Sequence, residues 1–276
     1  MPLKMMYITN NTRVAQIVEK YGIDRVWVDL ETLGKEKRQP NMNTVISNHV
    51  LSDVGKIRNV ISKAQLMVRV NPINPNTKAE IDSVINQGAD IVMLPFFSSK
   101  EEVKTFLDYV DGRAKTIILV ETIAAEKNLD DILNLHGIDE VHIGLNDLHL
   151  QYHSKFMFEL LANGKVEQMS RIIKSHNIPF GFGGIAKLDE GLLPARHIIA
   201  EHYRLGSSMV ILSRSFCDSW IADDLEEIER VFKYEIPKIR EYEERLSHET
   251  PAYFEKNRKT VVAEVDKVLE RVNEKM

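Results

Sequence analysis

Short apolar runs alternate along this chain with longer stretches in which apolar residues recur at helical spacing. The runs are rich in β-branched residues and end in polar ones, as buried parallel strands do. Eight strands are predicted, over residues 5–8, 25–31, 66–70, 90–95, 117–121, 140–145, 178–181 and 208–212. Eight strands that alternate with helices predict an α/β fold, a (β/α)8 TIM barrel. A doubly wound open sheet is the alternative, although no strand is followed by the G-x-G-x-x-G turn of dinucleotide-binding sheets.

The pattern changes near residue 221 to two long amphipathic helices. The first has an apolar stripe formed by Leu225, Ile228, Phe232, Ile236, Ile239 and Tyr242. The second follows Pro251 and has Val261, Val265, Val268 and Val272 on one face. Because a closed barrel leaves these helices no strand to cover, we expect them to pack on each other or on another subunit. We therefore predict a barrel over 1–220 and a C-terminal helical extension over 221–276 that forms a homo-oligomer, of a size left open.

Composition excludes several classes of partner. The 276 residues carry a net charge of −5 without a basic stripe, which argues against nucleic acid. No apolar run is long enough for a membrane span, and residues 1–7 lack the apolar core of a signal peptide. The only cysteine, Cys217, excludes an intrachain disulfide and is interpreted as structural. We expect a soluble, cytoplasmic protein that acts on a small molecule.

Charged residues fall on the predicted inner face of the barrel, near the carboxyl ends of strands. Alternation places Asp29 and Glu31 of the second strand, Arg69 of the third and Glu121 of the fifth on that face. Asp147 follows the sixth strand. Because the active sites of such barrels lie at the carboxyl ends of the strands, we expect these five side chains at one mouth.

The carboxylates at this mouth predict a bound cation. Neighbouring buried carboxylates are costly unless positive charge lies between them, and Arg69 supplies only one charge. We predict Mg²⁺, or alternatively Mn²⁺ or Co²⁺, on Glu121 and Asp147. The cation would polarise a chelated 2-oxo acid and stabilise its enolate, while Arg69 stabilises the same oxyanion. Asp29 and Glu31 are candidate catalytic residues beside Arg69. Alternatively, Glu121 and Asp147 are ion-pair partners of a structural Arg69, and Asp29 and Glu31 only orient Arg69 or bind the waters of the metal.

Three further groups of polar or glycine residues have two interpretations each. The backbone N–H groups of Gly183 and Gly184 could bind an anion, or these glycines could serve only a tight turn. His142, His149 and His153 belong to a substrate-facing loop or to the surface and core; a zinc site would need a third ligand. Lys35, Lys37 and Arg38 form either a solvated loop or an anion-binding lid.

Five motifs, in their order and spacing, resemble the HpcH/HpaI aldolase and citrate lyase β-chain superfamily of pyruvate- and phosphoenolpyruvate-binding barrels. They are Val28-Asp29-Leu30-Glu31, Val68-Arg69-Val70-Asn71-Pro72, Gly88-Ala89-Asp90-Ile91-Val92-Met93-Leu94-Pro95, Val120-Glu121-Thr122 and Ile143-Gly144-Leu145-Asn146-Asp147-Leu148. The resemblance covers roughly residues 5–215. It implies that Glu121 and Asp147 bind Mg²⁺ or Mn²⁺ and that Arg69 is the catalytic arginine. It also implies that the backbone at Asn146 and Asp147 holds the substrate carboxylate, and that the protein is an oligomer. We also expect Gly144, in the same motif, to contact the substrate.

Three departures leave the general base unassigned. The bacterial hydroxy-oxo-acid aldolases have a histidine after strand two, where this chain has Glu31 and no nearby histidine. They also have a glutamine where this chain has Leu119. Citrate lyase β chains and malyl-CoA-type lyases have Asp-Leu-Glu-Asp, and here Thr32 replaces the final aspartate.

We predict a metal-dependent carbon–carbon lyase of the class II aldolase type. Its substrates would be a pyruvate-like 2-oxo acid and an aldehyde. A malyl- or citramalyl-CoA lyase with a thioester co-substrate is one alternative, and a non-catalytic ligand-binding barrel is another. A Schiff-base aldolase is disfavoured because the predicted sixth strand, 140–145, contains no lysine.

Overall fold

The fold is a closed barrel of eight parallel strands. The computed structural model describes residues 2–34, 48–218 and 224–274. Each strand pairs with the next along the chain, and β8 pairs with β1. The strands are β1 (Lys4–Ile8), β2 (Arg25–Asp29), β3 (Gln65–Arg69), β4 (Ile91–Leu94), β5 (Lys115–Val120), β6 (Glu140–Ile143), β7 (Phe180–Ile185) and β8 (Met209–Leu212). The (β/α)8 prediction is confirmed, and the open-sheet alternative is wrong because β1 and β8 close the ring.

Helices follow the strands and form the outer layer. Within the described ranges they are α1 (Thr12–Lys20), α2 (Leu51–Arg58), α3 (Thr77–Asn86), α4 (Lys100–Val110), α5 (Ile123–Lys127), α6 (Leu129–Ile132), α7 (Leu145–Gln151), α8 (Glu159–Ala162), α9 (Lys165–Ser175), α10 (Ala195–Leu205), α11 (Leu225–Ser247) and α12 (Pro251–Glu274). None of the described helices combines the length and the apolar character needed to cross a lipid bilayer.

Two helices begin at a Ser/Thr-x-x-Glu motif, and one of these motifs forms a capping box. Ser99 and Glu102 form this capping box at the start of α4. Thr77 and Glu80, which match the same motif, do not form one, because the Glu80 carboxylate accepts a hydrogen bond of 2.8 Å from Asn71 Nδ2. The Asn71 side chain also accepts from the Thr32 backbone N–H at 2.9 Å, so it joins the loop after β2 to α3.

Strand β7 is longer than predicted and contains a bulge. The glycines expected to follow the strand lie inside it, and the register against β8 shifts between Gly181 and Gly184. Gly183 has φ +54°, a conformation that favours glycine. The interpretation of Gly183 and Gly184 as a tight turn after the strand is therefore wrong.

The barrel interior is filled by side chains from alternating strand positions. This inner cluster consists of Met6, Trp27, Met67, Ile91, Met93, Ile117, Leu119 and Met209. At the amino ends of the strands, buried Arg25 donates two hydrogen bonds to Glu140, at 2.6 and 2.8 Å. Lys4 donates a third to Glu140, at 2.9 Å. These ion pairs and the apolar cluster fill the lower part of the barrel, so the space for a ligand lies at the carboxyl ends.

The two C-terminal helices pack on the outside of the same barrel. Helix α11 contacts α1 and α10, and α12 contacts α10 and α8. Phe232 is fully buried, with its ring 5.0 Å from that of Tyr7 and 5.4 Å from that of Phe216. The expectation omitted the helix layer of the barrel itself, against which most of both stripes is buried. The two helices also touch each other, with the Tyr242 and Tyr253 hydroxyls 3.1 Å apart. The homo-oligomer and the division at residue 220 stay predictions.

Candidate active site

The described acidic and arginine residues of the predicted site meet at the carboxyl ends of the strands. Asp29 and Arg69 end β2 and β3, Glu121 follows β5, and Asp147 lies in the first turn of α7. A cavity of about 490 Å³ opens between them. Of the predicted site residues, those on its wall are Asp29, Arg69, Glu121, Gly144, Asn146, Asp147, Gly183 and Gly184. Glu31 is fully buried and is the one predicted site residue not on that wall.

Arg69 is held rigidly by two carboxylates and an aromatic ring. Its Nε and Nη2 each donate a hydrogen bond of 2.8 Å to Asp29, and its Nη1 lies 3.3 Å from Glu31 Oε2. The guanidinium carbon lies 5.0 Å from the centre of the Trp27 ring. Burial acts to lower the pKa of Arg69, but the charges of Asp29 and Glu31 outweigh it and raise that pKa. Arg69 therefore stays charged, and its fork-shaped pairing fixes its orientation.

A histidine contacts the end of β2 after all, although it lies far along the chain. Buried His49 accepts a hydrogen bond of 2.9 Å at Nδ1 from the backbone N–H of Asp29. The prediction that no histidine lies near this strand end is therefore wrong for the folded protein, although it holds along the sequence. Nothing in the local spacing indicates this contact, because 20 residues separate the two partners.

The backbone at Phe96 and the backbone at Gly144 together fix the position of the Glu121 carboxylate. Phe96 N–H donates to Glu121 Oε1 at 3.0 Å, from a residue whose φ is +46°. Such a backbone is uncommon for a bulky residue and costs free energy, so the surrounding structure imposes it. A Cβ at Gly144 would lie 2.7 Å from Glu121 Cβ and 2.8 Å from Glu121 Oε2. Gly144 therefore leaves room for this carboxylate, a role distinct from the predicted contact with substrate.

The donor set suits a cation that keeps part of its water shell. Glu121 and Asp147 are both buried and both line the cavity, and Mg²⁺ characteristically takes one or two protein carboxylates. In residues 2–34, 48–218 and 224–274, no group of three or more His, Cys, Asp and Glu side chains is arranged to hold a metal ion. Water or substrate oxygens would therefore complete the coordination of a cation at Glu121 and Asp147.

The predicted histidine group is dispersed by the fold. His149 Nδ1 lies 3.1 Å from the Leu145 carbonyl, one turn back in its own helix. His153 lies beyond the end of α7 with φ +53°. The zinc interpretation is not supported, since these two residues belong to no metal-binding group in the described part of the chain.

His142 is a cavity residue that the sequence analysis did not assign to the barrel interior. It lies on β6 and lines the cavity, with Nε2 3.2 Å from the Gly183 carbonyl oxygen. Burial lowers the pKa of His142 to about 4, so the ring is neutral near pH 7 and Nε2 donates to Gly183. Its position two residues after Glu140, which faces the barrel interior, is the alternation signal that could have identified it.

The remaining cavity wall is mostly apolar. The segment after β6 contributes Leu145, Phe156, Met157 and Phe158, and the loop after β7 contributes Leu192 and Leu193. Arg214, just beyond β8, is the second arginine on the described wall. No strand-end pattern in the sequence marks the apolar segments as cavity wall, because they come from connecting loops.

The closed parallel sheet places this protein in the class of (β/α)8 barrels. Its buried carboxylates and its arginine lie at the carboxyl ends of the strands, where the active sites of such barrels are found. Residues 4–156 match the model of the HpcH/HpaI aldolase/citrate lyase family. This match spans more than half of the chain, so the chain belongs to that family. Family and structural neighbours together point to a lyase- or aldolase-type enzyme.

Several solved structures share this fold. An HpcH/HpaI aldolase from Desulfitobacterium hafniense DCB-2 is 15% identical with a TM-score of 0.61, over 83% of this chain and 93% of that one. The citrate synthase SbnG is 15% identical with a TM-score of 0.60, over 88% of this chain and 95% of that one. An HpcH/HpaI aldolase/citrate lyase family protein from Burkholderia cenocepacia J2315 is 14% identical with a TM-score of 0.61, over 82% and 94%. No curated protein matches the chain.

Proposed function

We propose that this protein is a divalent-metal-dependent aldolase or lyase that makes or breaks a carbon–carbon bond next to a 2-oxo acid. The substrates would be a pyruvate-like acid and an aldehyde. The observation that carries the proposal is that Glu121, Asp147 and Arg69 line one cavity. Two carboxylates and an arginine at one barrel mouth suit a substrate that carries both a carboxylate and an enolisable ketone.

The carboxylates of the cavity support a role for a cation. Asp29, Glu121 and Asp147 line the cavity, and Glu31 lies behind Arg69 in contact with the guanidinium. Carboxylate oxygens are the protein ligands that Mg²⁺ takes, and a divalent cation on Glu121 and Asp147 would attract the carboxylate of a 2-oxo acid. When bound, the cation would supply Lewis-acid polarisation of the 2-oxo group.

The residues of the chain orient the substrate and stabilise charge. Arg69 would donate to the oxygen that becomes negative, and its contacts with Asp29 and Glu31 fix it before the reaction begins. Phe96 N–H and Gly144 would keep the Glu121 carboxylate in one position. The backbone at Asn146 and Asp147 would hold the substrate carboxylate, as the family resemblance implies.

The first test is removal of metal. The protein is treated exhaustively with EDTA, and pyruvate release from 4-hydroxy-2-oxo acids is followed with and without added Mg²⁺, Mn²⁺ or Co²⁺. We expect activity to disappear and to return with the metal. Metal binding is measured separately from activity, as the increase in Tm that Mg²⁺ causes. Glu121→Gln should abolish this increase in Tm. Full activity after chelation would refute the metal dependence.

A second comparison separates chemistry from stability. Arg69→Lys keeps the charge but loses the paired hydrogen bonds, and we expect kcat to fall by about 10²–10³-fold. Arg25→Lys is the matched control, because Arg25 also makes a bidentate pair with a buried carboxylate, that of Glu140, but lies fully buried at the opposite end of the barrel. Both variants should lose stability, and only Arg69→Lys should lose activity. Equal activity losses would contradict the assigned role.

Other predicted properties rest on the sequence alone. The basic loop that a thioester lyase would use, with Lys35, Lys37 and Arg38, lies outside the described residues. The thioester alternative, the non-catalytic alternative and the cytoplasmic location therefore stay predictions. A thermal shift with acyl-CoA tests the first of them.

A further inference from the structure

The cavity is larger than a three-carbon acid requires. Its volume of about 490 Å³ is in the range of pockets that enclose drug-sized ligands. The carboxylates and Arg69 are grouped at the ends of β2, β3 and β5 and at the start of α7. The rest of the space extends past β6 and β7, so a second substrate group has room there.

The wall of this extension is built from two connecting segments. Leu145, Phe156, Met157 and Phe158 come from the segment after β6, and Leu192 and Leu193 come from the loop after β7. The Phe156 and Phe158 rings pack edge to face, with centroids 5.4 Å apart. We call these six residues the apolar wall.

Several side chains of the apolar wall are not fully buried in the hydrophobic core. Phe158 and Leu193 are buried, but Phe156 and Met157 are only partly buried, and Leu192 is 68% exposed at the rim. Large apolar side chains that line an open cavity beside charged groups leave apolar surface in water until something covers it. The wall is continuous with the cavity that Asp147 lines, so a molecule bound beside Asp147 can cover it.

We propose that the apolar wall is the subsite for an apolar substituent of the aldehyde co-substrate. This inference rests on the proposed function. In the condensation direction, C3 of the 2-oxo acid loses a proton and bonds to the aldehyde carbon, while the aldehyde oxygen takes up a proton. The 2-oxo acid occupies the charged end, and the hydrocarbon part of the aldehyde lies between the two wall segments.

A third part of the cavity wall, after β8, defines the competing outcome. Arg214 lies just beyond β8, with Ser213 and Ser215 on the same part of the wall. An aldehyde that carries a carboxylate would be recognised there by charge and hydrogen bonds. The two substrate classes therefore use different parts of the wall and can be told apart.

The test uses two measurements on the full chain with Mg²⁺. Exchange of the C3 protons of pyruvate in D₂O, followed by NMR, reports the proposed enolisation without any aldehyde. Aldol formation is then measured with acetaldehyde, butanal and hexanal, and with the acidic aldehydes glyoxylate and succinic semialdehyde. A methylene in an apolar pocket is worth about 10-fold or more, so kcat/KM should rise at least about 10-fold from acetaldehyde to hexanal.

Wall variants make the assignment specific. In Phe156→Ala and in Leu192→Gln, the ratio of kcat/KM for hexanal to that for acetaldehyde should fall toward one. Leu192 is exposed, so its variant should fold even if Phe156→Ala does not. Leu51→Ala, which changes a partly exposed apolar residue outside the cavity, should leave the ratio unchanged.

The outcomes separate the two proposals. C3 exchange together with a preference for hexanal that the wall variants lose would support the subsite. C3 exchange together with a preference for the acidic aldehydes, or a ratio that the variants do not alter, would overturn the subsite and leave the proposed function standing. Absence of C3 exchange would overturn both.

Discussion

Replacing Gly144 by alanine adds a single methyl group against a residue proposed to bind the metal. The new Cβ would lie 2.7 Å from Glu121 Cβ and 2.8 Å from Glu121 Oε2. The carboxylate oxygen could rotate away, but Glu121 Cβ is fixed to the backbone at the end of β5. The clash therefore has to be relieved by moving the Glu121 side chain and its backbone relative to the turn before α7.

The size of that movement sets the expected loss. Non-bonded carbons rest at about 3.5–4.0 Å, so the two Cβ atoms must separate by roughly 1 Å. A misplacement of about 1 Å can lower a rate by about 100-fold. We therefore expect kcat/KM to fall about 100-fold, equivalent to about 2.7 kcal/mol of transition-state stabilisation. The overpacking itself should cost about 1–3 kcal/mol of folding stability.

The assay combines activity with metal affinity. The rate of C3 proton exchange in pyruvate is measured as a function of Mg²⁺ concentration for both proteins. Gly144→Ala should need more Mg²⁺ and should reach a lower rate at saturation, because Glu121 no longer lies in place. Unfolding in urea, followed by circular dichroism, shows that the variant is folded under the assay conditions.

Gly55→Ala is the matched control. Gly55 lies inside α2, where a Cβ would meet only the end of the flexible Gln87 side chain, at 3.1 Å. This variant should keep full activity, and its stability should change by less than about 1 kcal/mol, because the helix propensity gained is offset by displacement of the Gln87 oxygen that accepts from Gly55 N–H. If Gly144→Ala is folded and matches the unsubstituted protein in both rate and Mg²⁺ dependence, the steric argument for Glu121 is refuted.

Two further predictions concern stability. Burial lowers the pKa of His142 from 6.5 to about 4, so in that pH window the unfolded chain binds a proton that the folded chain does not, and stability falls as the pH falls. His142→Phe should reduce that fall by at most about 1.4 kcal/mol per pH unit, measured by urea unfolding between pH 4.5 and 7; parallel pH curves would contradict this. Phe232→Ala removes a fully buried ring at the contact of α11 with the barrel and should cost about 3–5 kcal/mol. Tyr234→Ala, 55% exposed on the same helix, should change stability by less than about 0.5 kcal/mol, and equal effects would mean that α11 does not pack as described.

Strand positions were predictable because the two-residue period of a strand is a local property. The assignment of Arg69 and Glu121 to the inner face needed only the apolar neighbours that must face the helices, and both residues line the cavity. Strand ends were less predictable. Glycines provide no side-chain pattern, and the sequence therefore predicts an end of β7 at Gly181, four residues before its actual end at Ile185.

Contacts between distant segments account for most of the errors. Glu80 matches a capping motif locally, yet its carboxylate bonds to Asn71 in the loop before the helix. The backbone N–H of Asp29 donates a hydrogen bond to His49, which lies 20 residues further along the chain. No local sequence pattern predicts a contact over that separation. The apolar stripes of α11 and α12 were identified correctly as buried faces, but a stripe does not say what covers it, and α1, α8 and α10 do.

Two buried arginines show why the site had to be argued from position and not from residue type. Arg25 and Arg69 each make a bidentate pair with a buried carboxylate, and they occupy adjacent strands. Arg25 is completely enclosed at the amino end, where Lys4 is a second partner of Glu140 and the neighbouring interior is apolar. Arg69 lies at the carboxyl end, where its side chain keeps 12% exposure and faces the cavity. The Arg25–Glu140 pair is therefore enclosed in the interior, whereas the Arg69–Asp29 pair leaves a charged group available to a ligand, because the connecting segments at the carboxyl end leave a cavity beside it.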